Sequence, residues 1–333
     1  VCALALLALA TLARGVLVLA REHRLLPALA GGQHELAGPV VLGVVAAVVA
    51  CERLAPAVRR PLRARGQVQD ACYLVVFALV VVPFSTLLGY GADSVLTTWT
   101  PWLMLRSTAG LPGWFAVGIA LVLMDGCNWL VHLADHKVGA LWRVHALHHS
   151  QEELSVLTTF RSHPLEHTVS TFGATLPVVV LAGYHPVTPL LITGYLLLGT
   201  LPHANVAWRF GPLDRLVVSP AYHRVHHRLE GRQDVNLGIV LSLWDVLAGR
   251  AVLPSRGTAP CATGLPGRPL PVEQSLRSYR PVGLLCRQLA EPFTLPGRAG
   301  DGGRAAPLPP SGRRREAAGR PPRAPRAARS TVR

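Results

Sequence analysis

Twelve of the chain's 14 histidines lie between His132 and His227. His132 and His136 form an HxxxH pair. His145, His148 and His149 form an HxxHH triplet, and His223, His226 and His227 form a second. On a helix, positions i, i+3 and i+4 share a face, so an HxxHH triplet covers an arc of roughly 100° and its rings converge. Imidazoles in such clusters suit zinc, copper, iron or nickel. The pair and the two triplets supply eight rings. That exceeds the about four to six positions of one ion, so the count asks for two metals. Neutral ligands leave the charge of the cations uncompensated, and carboxylates behind the rings should orient them and offset that charge. Asp125, Asp135, Glu153, Asp234 and Asp245 are the candidates. His203, at the end of an apolar run, is a ninth candidate ligand. His185, at an expected hairpin turn, and His23 and His34, in a polar connector, read as bystanders.

These histidines must be carried by membrane helices. Half of the 333 residues are hydrophobic and only 15% are charged, which excludes an ordinary soluble enzyme. Residues 1–20 carry only Arg14, residues 37–50 and 71–90 carry no charge, and residues 113–131 carry only Asp125. About 20 apolar residues cross a bilayer as a helix, so four helices are expected before the histidine clusters. Residues 1–20 read as the first of these rather than a signal peptide, because a basic n-region is missing. The expected fold class is all-α: a polytopic membrane helical bundle with a cytoplasm-facing, histidine-rich helical cap. Residues 1–112 hold N-terminal transmembrane helices, 113–255 the catalytic region, 256–295 a C-terminal extension suited to the membrane interface, and 296–333 a tail.

Arg53, Arg59, Arg60, Arg63 and Arg65 place the loop after the second run in the cytoplasm. Residues 91–112 then fit an outside loop, broken by Pro101, Pro112 and Gly113, and the fourth run delivers His132 back to the cytoplasmic side. Arg143 and Arg161 agree with that side. Residues 172–202 run uncharged, interrupted by Gly183, Pro186 and Pro189. For both triplets to share a site, this stretch must leave and return as a helical hairpin. The net charge of +15 comes largely from 10 arginines in residues 296–333, a Pro- and Gly-rich tail expected to be disordered. Attraction to an anionic leaflet suits that tail better than specific nucleic-acid binding, for which no aromatic interleaving is present. The six cysteines show no CxxC spacing and read as buried hydrophobes, not as a disulfide framework or a thiolate metal site.

The histidine boxes resemble those of the fatty acid hydroxylase/sterol desaturase superfamily of membrane di-iron enzymes, in a bacterial-type form. The resemblance rests on DGCNWLVHLADH (125–136), LWRVHALHHS (141–150), FRSHPLEH (160–167), HANV (203–206), SPAYHRVHH (219–227) and LWDVLAG (243–249). Asp234, Asn236 and Gly238 lie in the expected trailer. Leu133, Leu237, Ala248 and Arg250 depart from residues common in that family. The resemblance implies metal-ligand roles for His132, His136, His145, His148, His149, His203, His223, His226 and His227. His163 is carried over as a marginal candidate and His167 is not carried over. Asp125, Asp234, Asn236 and Asp245 are implied to support the metal site from behind. The resemblance further implies two iron ions, O2 as co-substrate, and hydroxylation or desaturation of a lipid C–H bond at an integral, multi-pass site facing the cytoplasm of a bacterial inner membrane. The chain has no GxGxxG, four-cysteine iron–sulfur or CxxCH pattern. Electrons are therefore expected from an external ferredoxin- or cytochrome-type donor with its reductase.

Two other classes compete. His163, Glu166 and His167 spell HxxEH, the pattern of an inverted zincin, which would make the chain a membrane zinc metallohydrolase. That reading leaves both triplets unexplained. A non-enzymatic metal- or haem-binding membrane protein is the other alternative. Transporter ligands favour broken helices at the bilayer midplane, whereas these clusters follow the helix ends.

Overall fold

The computed structural model describes residues 2–29, 31, 38–60, 65–104, 110–182, 188–254, 260–265 and 280–294. Among the described residues the chain is all-helical, with two isolated β-bridges, Pro56 to Val206 and Arg228 to Thr263. His34, His185 and residues 296–333 lie outside the described residues.

Two helices, α1 (Cys2–Arg21) and α2 (Pro39–Leu54), come first. A long rod follows: α3 (Arg65–Val76), a π-helical turn (Phe77–Val81) and α4 (Val82–Thr98) run on without a break. Pro83 explains the π turn. Proline has no N–H to donate and crowds the preceding turn, and a wider i→i+5 turn accommodates it. Here the Val82 N–H reaches back to the Phe77 carbonyl. The rod extends through residues 91–98, which the sequence reading placed in a loop. Close packing against α1 accounts for the extension. A Cβ at Gly91 would strike the Thr11 carbonyl and one at Gly15 the Leu87 carbonyl, so the two backbones meet at glycines. Arg14, the one charge of the first apolar run, donates to Ser94 Oγ at 3.0 Å and lies over the Trp99 ring.

Among the described residues, two helices are long and apolar enough to cross a membrane: residues 66–98 and α5 (Gly113–Lys137). Four spans were expected before the clusters. At 16 residues, α2 falls short of the about 20 that a crossing needs. After α5 come α6 (Gly139–His149), a 3-10 turn (Val156–Phe160), α7 (Pro164–Ala182) and α8 (Thr188–Thr200). A 3-10 turn (Leu201–His203), α9 (Pro220–His226), α10 (Leu243–Leu247) and α11 (Pro281–Thr294) complete the fold. The segment from α7 to α8 leaves the histidines at Glu166 and returns to them at His203, as a hairpin requires. Beneath the site, Val41 and Val45 of α2 pack with Phe77, Val81 and Val82 of the rod and with Val156 and Phe160 of the 3-10 turn. This core braces the loop that carries Thr159 and Arg161.

A buried carboxylate ties the later part of the chain to α5. Asp125, 2% exposed, accepts from Tyr195 Oη at 2.8 Å, Trp244 Nε1 at 2.9 Å, and the Val240 and Leu241 N–H groups at 3.1 Å each. A charge inside an apolar helix persists only when its oxygens are satisfied in this way. Asp125→Ala strands all four donors, so it should cost about 3 kcal/mol or more. A thermal melt followed by size-exclusion chromatography in detergent should show a large loss of folded protein. Asp125→Asn keeps one acceptor oxygen and should fall between the two.

Candidate metal centre

The α5 helix carries His132 and His136 one turn apart and ends at Val138, whose extended backbone turns the chain into α6. That turn brings His145 back onto His136, with their Nε2 atoms 3.1 Å apart. Ser219 caps α9 by accepting from the Tyr222 N–H at 3.2 Å, and Pro220 starts the helix. The last residues of α9 then face α6.

The nine rings form two groups. His132, His136, His145, His149 and His226 make one; His148, His203, His223 and His227 make the other. Within each group the candidate ligand atoms lie within 4.8 Å of one another. Each triplet is divided by its spacing. The i,i+4 pair His145 and His149 joins the first group while His148 joins the second; His223 and His227 join the second while His226 joins the first. The groups abut through His149 and His227, stacked with centroids 4.5 Å apart.

This donor set fits metal ions. Nε2 to Nε2 separations are 3.1 Å for His149 to His145, 3.0 Å for His203 to His148 and for His223 to His203, and 3.2 Å for His227 to His223. Around an ion about 2.1 Å from each nitrogen, adjacent ligands sit about 3.0 Å apart in an octahedron and about 3.4 Å apart in a tetrahedron. His132 and His226 each leave a buried Nε2 without a partner. Their other nitrogens are occupied: His132 Nδ1 donates to the Leu237 carbonyl at 2.7 Å and His226 Nδ1 to the Val235 carbonyl at 2.9 Å. His148 Nδ1 donates to the Arg161 carbonyl at 3.2 Å, His145 Nδ1 to Glu166 Oε1 at 2.8 Å, and His203 Nδ1 to Thr159 Oγ1 at 3.0 Å. Holding Nδ1–H in this way sets the tautomer and leaves the Nε2 lone pair for a metal.

Burial, reinforced by neighbouring imidazoles, holds His148, His149, His223 and His227 well below the usual histidine range, and it pushes His203 and His226 down to about 3. A ligand must be neutral, so these rings are ready for metal at neutral pH. His145 differs: burial pulls it down, but the Glu166 carboxylate, with Asp135 nearby, more than offsets this and raises it.

The expected carboxylates stand one step further out. Asp125, Asp135, Glu153, Asp234 and Asp245 make no hydrogen bond to an imidazole among the described contacts. Asp245 accepts from Trp129 Nε1, Tyr222 Oη and the Leu237 and Gly238 N–H groups. Asn236, at φ 56°, ties itself to Tyr222 and Val252. Asp234 accepts from Lys137, Arg232 and Arg250. Together Asp234, Asn236 and Asp245 fix the 234–238 segment, whose carbonyls at Val235 and Leu237 hold His226 and His132. Glu153 accepts from the Gly66 N–H, away from the rings.

Three further expectations differ from the structure. His163, the marginal tenth ligand, belongs to neither group: its Nε2 donates to the Leu289 carbonyl and its Nδ1 accepts the Leu165 N–H. The HxxEH residues also diverge, because Glu166 turns to His145 and His167 packs edge-on against Phe77. A helix face at i and i+4 does not by itself make a site. Arg161, expected only on the cytoplasmic side, is fully buried. Its guanidinium meets Asp70 at 3.2 Å, Ser150 Oγ at 3.1 Å and the Leu147 carbonyl at 3.2 Å. Sequence reasoning missed Thr159, and it missed Asn205, which joins Glu52 of α2 to Arg224 of α9. The polarity of Asn205 in HANV was the available signal.

A cavity of about 220 Å³ touches both groups, at His132, His145, His148, His203 and His223. It extends between the rod, α5, α7 and α8 past Phe77, Val81, Val82, Met124, Ala174 and Leu196. Apolar walls leading to clustered imidazoles could hold a hydrocarbon segment beside a metal.

Residues 117–250 match the family model described as fatty acid hydroxylase. Among curated proteins, the ornithine lipid hydroxylase OlsE of Rhizobium tropici is 29% identical over 264 residues, covering 78% of this chain and 76% of that protein. The alkylglycerol monooxygenases of Caenorhabditis elegans and Homo sapiens are 28% and 31% identical over 153 and 129 residues. Those matches cover 44% and 37% of this chain, and only 28% and 27% of the relatives' own length. No solved structure matches the chain.

If the nine rings are ligands, His148→Ala and His226→Ala should each sharply reduce bound metal, measured by elemental analysis of protein purified after growth in iron-supplemented medium. His167→Ala should retain wild-type metal content, since that ring lies outside both groups. Full metal content in either of the first two variants would remove those rings from the ligand set.

Proposed function

With residues 117–250 belonging to the fatty acid hydroxylase family, we propose that the chain is a membrane-bound di-iron monooxygenase that hydroxylates a C–H bond in a membrane lipid. The observation carrying this reading is the pair of imidazole groups opening on one apolar cavity. His132, His136, His145, His149 and His226 would hold one iron, and His148, His203, His223 and His227 the other. Iron bound there would supply the activation of O2 that an unactivated C–H bond requires.

The chain's own residues do the rest. Phe77, Val82, Met124 and Leu196 enclose an alkyl segment and keep water from it. Nδ1 partners keep the imidazoles of His132, His145, His148, His203 and His226 aimed at fixed points while substrate enters and leaves. Electrons come from a separate ferredoxin- or cytochrome-type donor with its reductase.

The substrate we favour is a polar-headed, acyl-chain lipid rather than a sterol. The relative matched over most of both chains is named for hydroxylation of ornithine lipid. Hydroxylation is favoured over desaturation because that relative and the alkylglycerol monooxygenases are named for oxygen insertion. We place the protein in a bacterial inner membrane with its histidines toward the cytoplasm. Exposed Trp99, Trp102 and Trp114 lie near the ends of α4 and α5 remote from the histidines, as an interfacial aromatic belt would.

Lipid extracts from a strain lacking the gene and from its complemented counterpart test this directly. Complementation with the wild-type chain should restore a lipid one oxygen atom heavier than its precursor, and His226→Ala should not. A product two hydrogens lighter with no added oxygen would replace hydroxylation by desaturation. An unchanged lipid profile with restored hydrolysis of a lipid or peptide would overturn the oxygenase reading.

A further inference from the structure

Glu166 belongs to a pattern that suggested zinc hydrolysis, yet it contacts neither histidine of that pattern through its carboxylate. It starts α7 with one oxygen on His145 Nδ1 at 2.8 Å and the other, Oε2, buried without a partner. Asp135 Oδ1 is also buried without a partner. The two side chains are 7% and 2% exposed, and both line the cavity at the five-histidine group. A buried carboxylate lacking full hydrogen bonding is costly unless a cation stands nearby.

The four-histidine group is supported differently. His148 rests on the Arg161 carbonyl and His203 on the Thr159 hydroxyl, both neutral acceptors. The nearby Arg161 guanidinium is already paired with Asp70. Among the described residues, a carboxylate hydrogen-bonded to a ring is therefore found at only one of the two groups.

We propose that Glu166, with Asp135 beside it, is the anionic support of the five-histidine position and makes the two metal positions inequivalent. The proposal rests on the reading of the nine histidines as ligands of two ions. Glu166 is a positioning residue: its carboxylate makes the His145 imidazole a stronger donor and fixes its direction. Asp135 places a second buried carboxylate beside the same group without a hydrogen bond to an imidazole. A divalent cation on five neutral imidazoles relieves the cost of burying both carboxylates, so the five-histidine position is the tighter one.

Anaerobic titration of the detergent-solubilised full chain with Co2+, followed through its visible d–d absorption, resolves the two positions. Mössbauer spectra of protein loaded with 57Fe2+ provide the second reading. The wild-type chain should fill in two steps and give two distinct doublets of equal area. Glu166→Gln, which keeps shape and removes charge, should weaken the first step by about 10–100-fold and leave the second unchanged. Asp135→Asn should weaken the same step less, and Glu166→Asp should restore part of it. The unchanged second step is the internal control for folding. Glu166→Gln with both steps intact, or with both lost equally, would overturn the proposal. A wild-type chain binding fewer than two ions would instead overturn the two-metal reading beneath it.

Discussion

A buried imidazole has two nitrogens, and only one can face a metal. For five of the nine histidines the structure fixes the other nitrogen, while Nδ1 of His149, His223 and His227 is buried without a hydrogen-bond partner. His132 and His226 take the Leu237 and Val235 carbonyls, His148 takes the Arg161 carbonyl, His203 takes Thr159, and His145 takes Glu166. Each acceptor must itself be held still, which moves the requirement outward. Asp245 and Asn236 hold the 235–238 backbone, and Arg161 is locked by the buried Asp70 of α3. Asp70 also accepts from Thr158 and Gln151, so one carboxylate braces both ends of the loop between α6 and α7. Breaking such a buried pair by removing one partner typically costs about 3–5 kcal/mol, because the remaining charge is stranded. The polar framework is therefore continuous from the rings to the long rod.

The spacing of the boxes has a matching logic. In an HxxHH triplet the i and i+4 rings lie one turn apart, while the i+3 ring is rotated beside them. Two helices set face to face can then each contribute two rings to one group and one to the other. α6 and α9 do this in opposite senses, with His145 and His149 against His226, and His223 and His227 against His148. The pair on α5 completes the first group and His203 the second. A single triplet facing open space could not divide its rings in this way, so the two boxes depend on each other's position as much as on their own helices.

The ring-bearing residues were legible in the sequence because imidazole is a rare side chain and its helical spacing is a local property. Their partners were not. Most are backbone carbonyls, which every residue possesses, and nothing local distinguishes Leu237 or Val235 from its neighbours. Glu166 was visible but drew the wrong partner: the HxxEH pattern pointed within its own helix, whereas His145 lies 21 positions upstream. The burial of Arg161 was not legible, because its partner Asp70 lies 91 positions away. The all-helical character was legible from hydropathy. The extension of the rod to Thr98 was not, since it depends on the contact of Gly15 and Gly91 between separate helices.

Asp125 shows why the histidine-bearing segments cannot be separated from the helices that carry them. It sits 12 positions before Lys137, about 18 Å along α5 at 1.5 Å per residue. At that level it binds two backbone N–H groups and the indole of the segment that follows the third box. Trp244 lies against Gly126 there, where a Cβ would come within 3.1 Å of its ring. The trailing segment thus lies alongside α5 instead of resting on its end. The same segment begins with the Val235 and Leu237 carbonyls that aim His226 and His132. A shift of α5 along its axis would therefore move two rings of one group together with the wall of the cavity, through Ile239. The register between α5 and this segment, set by Asp125 together with the Asp245–Trp129 and Asp234–Lys137 contacts, is what keeps the imidazoles and the apolar cleft in a constant relation.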